Sequence, residues 1–266
     1  MALITRRRAL VAAGGAGLAL AGCNSITQAD RLTQASSFQH VLAYAQYWTL
    51  HAQRLLLSGG AMAREYAPSD ISPSFFANGT TDPGGDAYTQ AAADAFADWK
   101  FTVTGLVRKP LTLSVADLRR LPARTQITRH DCVEGWSAIG QWTGVQLGLL
   151  LKAAGMAPQA RYVVFSCADN LDGEPAKGGA QAPGQYYESL GMADATHPQT
   201  LIAYAMNGKP LAVPHGAPLR LRVERQLGYK HAKYLTGIKV VDSFAGIAGG
   251  KGGYWEDRGY EWYAGI

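Results

Sequence analysis

The sequence predicts an α+β fold built around mixed β-sheet, as a single domain. Strand-like and helix-like runs succeed one another without the regular strand–helix alternation of a doubly wound sheet. No internal repeat, heptad run or long charge block interrupts them. Of the 266 residues, 47% are hydrophobic and 17% charged, which fits a globular core and argues against a disordered or coiled-coil chain.

Arg6, Arg7 and Arg8 precede an apolar stretch from Ala9 to Gly22 that is 14 residues long, too short to span a bilayer comfortably. A basic start, a short Ala- and Gly-rich stretch and small residues before a break describe an export signal over residues 1–22. The paired arginines resemble a twin-arginine signal, although Ala9 stands where an aromatic or large apolar residue is preferred. Leu20, Ala21, Gly22 and Cys23 resemble a lipoprotein cleavage box in which Cys23 becomes the lipid-bearing first residue. The alternatives are a plain membrane anchor or a general secretory signal with a chance cysteine. Twin-arginine export carries folded proteins, so the address hints at a cofactor inserted before export. It also explains the charge. The net +5 falls to +2 once the three arginines are removed, leaving 22 Lys+Arg against 20 Asp+Glu. That balance gives no reason to expect a nucleic-acid partner.

Residues 23–63 read as an N-terminal helical extension. From Phe38 to Leu57, Val41, Tyr44, Trp48, Ala52 and Leu55 recur at helical spacing, with Ser36 or Ser37 as cap and Gly59-Gly60 as stop. The domain proper is placed at residues 64–244. It opens on a turn-rich stretch, residues 66–88, containing Pro68, Pro73, Asn78, Gly79, Pro83 and Gly84, longer than an ordinary connector. Strands are expected at Phe101–Val107, Tyr162–Cys167, Leu219–Val223 and Thr236–Asp242, where β-formers alternate or cluster. Ser114 followed by Asp117 forms a capping box for a short helix ending near Arg120. A second helix is expected over Gly144–Ala154, capped by Thr143 and stopped by Gly155. In the strand at Leu219–Val223, Arg220 and Arg222 fall on one face, suited to an anion. Residues 245–266 read as a Gly-rich and aromatic tail with Trp255, Tyr260, Trp262 and Tyr263.

With Cys23 assigned to processing, Cys132 and Cys167 remain. They can pair as a disulfide, or one can be held for chemistry. Cys132 lies in RHDCVEGWS, residues 129–137, flanked by His130, Asp131, Glu134 and Trp136. A core thiol, a nucleophile and a metal ligand all fit a lone cysteine; the polar surroundings favour the reactive readings. No zinc spacing is present, so one thiolate with few other ligands implies that a cofactor supplies most of a metal's coordination.

The segment HDCVEGWSAIGQWTGV, residues 130–145, resembles the molybdenum-binding segment of the sulfite oxidase family of molybdopterin-dependent oxidoreductases. That family includes the periplasmic protein-methionine-sulfoxide reductase catalytic subunits. HPQTLIAYAMNGKPL from His197 and HGAPLRLRVERQLGYKHAKYLTGIKVVD from His215 are similar to its pterin-binding region, and the resemblance covers about residues 64–244. It implies the family's mixed-sheet molybdopterin-binding fold and a molybdenum centre bonded to Cys132 and to one pyranopterin. It further implies cofactor contacts from Asn78, Gly79, Thr80, His215, Arg220, His231, Ala232 and Lys233, with Lys230 as a further basic donor. Tyr186 takes the spacing of the family's substrate-site tyrosine. Cys167 falls where relatives place a residue near the cofactor, and is read as an inert buried thiol.

This sequence departs from the sulfite-oxidising pattern. Val133, Glu134, Gly135 and Trp136 follow the cysteine where arginines commonly hold the sulfite dianion. An acidic, aromatic mouth disfavours a dianion and shifts weight toward a sulfoxide or a related S- or N-oxide. Sulfite dehydrogenase-type oxidation is the alternative within the enzyme class, and a non-catalytic ligand-binding lipoprotein the alternative outside it. No CxxCH haem motif is present, so no haem is expected in this chain and electrons are expected from a membrane partner such as a b-type cytochrome. The expected protein is a monomeric catalytic subunit on the periplasmic side of a bacterial envelope.

Overall fold

Two five-stranded sheets carry the fold in the computed structural model, which describes residues 60–172 and 184–266 together with six residues between Tyr44 and Ala52. In chain order the elements are α1 (Asp86–Ala93), β1 (Lys100–Gly105), β2 (Leu111–Ser114), α2 (Val115–Arg120), β3 (Ala123–Asp131), β4 (Ser137–Gln146) and α3 (Leu147–Ala154). They continue with β5 (Tyr162–Asn170), β6 (Gln185–Gly191), α4 (Met192–Ala195), β7 (Leu201–Met206), β8 (Lys209–Pro210), β9 (Arg220–Arg222) and β10 (Leu235–Val241). The export signal, Cys23 and most of the predicted Phe38–Leu57 helix lie outside the described residues. Tyr44, Ala45, Tyr47, Trp48, His51 and Ala52 of that span are helical, as expected.

The first sheet runs β2-β1-β10-β5-β6 and is mixed, because β1 pairs parallel to β10 while its other pairings are antiparallel. The second is antiparallel, β3-β4-β7-β8 with β9 on β7. One core is shared between them. Phe101, Phe165 and Ile238 of the first sheet are buried in the same cluster as Val145, Ile202 and Leu221 of the second, with Leu150 and Leu151 of α3. A smaller cluster includes Trp142, Ala203 and Met206 of β4 and β7.

The four expected strands are present within a few residues of their expected ends, and α2 begins on the expected cap. Ser114 Oγ accepts from the Asp117 backbone N–H while the Asp117 carboxylate accepts from the Ser114 N–H, at 3.0 and 2.9 Å. The helix expected from Gly144 instead starts at Leu147, and Thr143 is a strand residue rather than its cap. Gly144 pairs with Ala203 of β7, and a Cβ there would stand 2.3 Å from the Ile202 carbonyl oxygen. The glycine thus marks close strand approach, which helical spacing alone does not reveal. The stop at Gly155 is observed.

Residues 245–266 are packed rather than trailing. Trp262 Nε1 donates to Ser189 Oγ of β6 at 2.8 Å, and Glu256 is buried. Replacing Ser114 by Ala removes the α2 cap and is expected to cost about 1 kcal/mol, read as a lower urea midpoint with an unchanged slope.

Candidate active site

Strands β3 and β4 are joined by a tight turn, and Cys132 sits at its start. Its backbone N–H donates to the Trp136 carbonyl at 2.9 Å, and its own carbonyl accepts from Gly135 at 3.0 Å. The thiol is free and partly exposed, in a cleft lined by Asn78, Gly79, Thr80, Tyr186, His215, Arg220, His231, Ala232 and Lys233. Its volume is about 180 Å³ on a scale where one water needs about 10–15 Å³. That is room for an organic group rather than a bare ion.

Three segments far apart in sequence are tied together here. Asn78 Nδ2 lies 3.5 Å from Cys132 Sγ as a donor. The Lys233 ammonium donates to the carbonyls of Asn78, at 2.9 Å, of Thr80, and of Pro214, at 3.2 Å. Tyr234 Oη adds a bond to the Thr80 carbonyl at 2.9 Å. The glycine- and proline-rich stretch is therefore held beside the thiol by a lysine just before β10.

The floor is cationic. The Arg220 guanidinium donates to the His215 carbonyl at 3.1 Å and lies 5.0 Å from the Trp142 ring centroid. Arg222 lies on the same ring at 4.2 Å, so both arginines of β9 do share one face. That face is buried, and Arg222 is paired to Glu224 rather than turned to an anion. Burial and the neighbouring Arg222 pull Arg220 down to about 9, and burial with Arg220 pulls Lys233 down to about 7. Burial pushes Asp169, which also lines the cleft, up to about 6. Burial and the same cations hold His130 and His231 well below the usual imidazole range.

Tyr186 lines the cleft, but its hydroxyl donates to the Tyr229 carbonyl. Its single proton is thus given to the backbone in this conformation, and it presents an aromatic wall. Lys230 does not reach the cleft and is not a cofactor donor. It is fully buried between Glu188, 2.9 Å away, and Glu256, 2.5 Å away. Cys167 is a buried free thiol, so no disulfide joins it to Cys132. Sequence reasoning missed Asp169, Phe75 and the tail residues Trp255 and Tyr260 as parts of the cleft wall; their only signal was polar or aromatic character near a strand end or in a tail.

A family model for the oxidoreductase molybdopterin binding domain matches residues 88–245. The chain belongs to this family. It is an enzyme of the molybdopterin-dependent oxidoreductase class. It is 36% identical over 207 residues to a putative protein-methionine-sulfoxide reductase subunit of Azospira oryzae, covering 75% of this chain and 70% of the relative. It is 37% identical over 172 residues to a protein-methionine-sulfoxide reductase catalytic subunit of Xanthomonas campestris pv. campestris, covering 64% of this chain and 52% of the relative. The match to that catalytic subunit thus spans about half its length. A solved structure, the sulfane dehydrogenase SoxCD from Paracoccus pantotrophus, is similar over 55% of this chain and 39% of that chain at 22% identity and a TM-score of 0.47.

The residues present fit molybdopterin. Arg220 Nε, His215 Nδ1 and His231 Nδ1 are buried without hydrogen-bond partners, and burial together with a like-charged neighbour lowers both Arg220 and Lys233. An anionic, hydrogen-bonding group resolves both conditions. Among the described residues no cluster of three or more His, Cys, Asp or Glu is placed to hold a metal ion.

The buried Lys230 gives a stability prediction. Burial and Glu256 raise the Glu188 carboxyl well above its ordinary range, with Lys230 opposing. A carboxyl raised in the folded state contributes stability at low pH that is lost as pH rises through its folded value. Lys230→Met removes the opposing cation, so a loss of about 3–5 kcal/mol is expected, largest at alkaline pH and shrinking on acidification in urea titrations.

Proposed function

We propose that this protein is an exported oxidoreductase that reduces a sulfoxide or a related S- or N-oxide by two-electron oxygen-atom transfer. The single observation that carries the substrate class is the mouth of the cleft. Glu134, Val133, Trp136 and Phe76 line it beside Cys132, and Phe76 is 61% exposed with its ring 5.5 Å from that of Trp136. A carboxylate among apolar rings repels a dianion and admits a neutral, amphipathic oxide. The names carried by the relatives from Azospira and Xanthomonas agree with this reading.

The Cys132 thiolate would ligate the metal, and Asn78 would donate to that sulfur, tempering its charge. Arg220 and Lys233 would hold the phosphate and His231 the polar edge of the pterin, with Gly79, Thr80, His215 and Ala232 completing the cradle. When bound, the cofactor supplies the two-electron couple and the oxygen-accepting centre. The chain's own contribution is to fix that group, exclude anions with Glu134 and stack the substrate against Trp136 and Tyr186. Reduction of R₂S=O to R₂S and water consumes two electrons and two protons; the electrons would come from a membrane-bound partner such as a b-type cytochrome. The leader at residues 1–22 and Cys23 support placement on the periplasmic side of the envelope, tethered by lipid. No described helix is long and apolar enough to cross a membrane.

Protein matured in a molybdopterin-producing host is expected to contain molybdenum and pterin and to reduce dialkyl sulfoxides with a reduced dye. Oxidation of sulfite in preference to that reaction would overturn the substrate class. Cys132→Ser is expected to lower turnover by at least about a thousandfold while thermal unfolding of the cofactor-free protein changes little, because the thiol is only partly buried. Glu134→Arg is expected to improve the KM for sulfite by roughly tenfold, the scale of one reversed charge contact near the surface.

A further inference from the structure

Behind the cleft lies a chain of buried polar groups that the proposed chemistry does not use. The Arg222 guanidinium is fully buried. It donates from Nε to Glu224 Oε1 at 2.9 Å and from Nη2 to Glu224 Oε2, a bidentate pairing. Glu224 Oε1 also accepts from Gln126 Nε2 at 2.8 Å, and the same amide donates to the Gln199 carbonyl at 3.0 Å. Trp142 packs on the guanidinium face. The remaining nitrogen, Nη1, lies 3.0 Å from His130 Nδ1.

That last contact has one chemical reading. A guanidinium has five N–H donors and no acceptor, so His130 Nδ1 must offer its lone pair. The ring proton then resides on Nε2. Gly228 passes so close to Nε2 that a Cβ on it would stand 2.6 Å away, and His130 lines the cleft two residues before Cys132. Next to it, edge to face at 4.8 Å, is His231, whose Nε2 lies 3.0 Å from the Gln226 carbonyl. A carbonyl only accepts, so His231 holds its proton on Nε2 and keeps Nδ1 as an unpartnered acceptor. Both imidazoles are thus fixed as Nε2–H tautomers, with the Nδ1 of His130 paired and that of His231 free to accept.

We propose that Arg222, which does not line the cleft, is a positioning residue that locks His130 as the Nε2–H tautomer, and that His130 is thereby a further hydrogen-bond donor to the bound molybdopterin beside Cys132. The second half of this statement rests on the cofactor reading above; the first half does not. It concerns which ring nitrogen carries the proton. Glu224 and Gln126 hold the guanidinium in register, and His231 presents the complementary acceptor.

The test uses the full-length protein from a molybdopterin-producing host, fully oxidised and ¹⁵N-labelled at histidine. Long-range ¹H–¹⁵N correlation reports which nitrogen of each ring is protonated, with the His130 resonances assigned by their loss in His130→Gln. The expected result is a protonated Nε2 and an unprotonated Nδ1 at His130. Arg222→Met should convert this to a mixture of tautomers, and Arg222→Lys, which restores a donor, should return it. His130→Phe should lower retained pterin per mole after gel filtration by about tenfold, the effect of one buried hydrogen bond left unmade, whereas His130→Gln, which keeps a donor, should retain most of it. A protonated Nδ1 in the parent protein, or an unchanged tautomer in folded Arg222→Met, overturns the positioning role. Equal pterin in His130→Phe overturns the donor role. A parent protein devoid of molybdenum and pterin sinks the cofactor reading and the donor role with it, while the tautomer result is judged separately.

Discussion

Two guanidinium groups kept dry on one tryptophan ring are the constraint around which the rest is arranged. Arg220 and Arg222 are two residues apart on β9 and both stack on Trp142. Like charges in such a place are costly unless each is answered. The chain answers one of them, with Glu224, and leaves the other facing the cleft with an unpartnered Nε. The asymmetry makes a scaffold and a binding group from two identical side chains. Lys233 adds a second cation, and its bonds to the Asn78 and Thr80 carbonyls hold the loop beside Cys132 without neutralising that charge. The floor of the cleft thus keeps an arginine donor without a partner.

Much of the fold could be read from local pattern. The alternation at Leu219–Val223, the Ser114–Asp117 box and the Gly155 stop each follow from backbone chemistry confined to a few residues, and each is observed. Strands β2, β3, β4, β6, β7 and β8 carry no such mark in the sequence. β3 carries Arg129 and the buried His130 and Gln126, and β6 carries the buried Glu188 and Ser189, so their polar composition hides burial that only partner strands make tolerable. Gly144 misled for the same reason: its meaning lies in Ile202, 58 positions away in this chain.

For the site, the residues that the family's motifs single out, from Asn78 to Lys233, do meet in one cleft. What they could not supply was partnership. Lys230 lies in the same basic run as Lys233, yet one turn of 3₁₀ helix over Gly228–Lys230 sends it inward to two carboxylates. Tyr186 occupies the wall as expected, but the backbone of Tyr229 takes its proton. Such allocations depend on which side chain meets which carbonyl in three dimensions, and no spacing rule carries that information.

The tail also bears on access to the cleft. Trp255 and Tyr260 form part of its wall, and Glu256 anchors that segment to Lys230 in the interior. A rearrangement of that wall has to disturb a buried ion pair, so the rim of the cleft is stiffened from beneath.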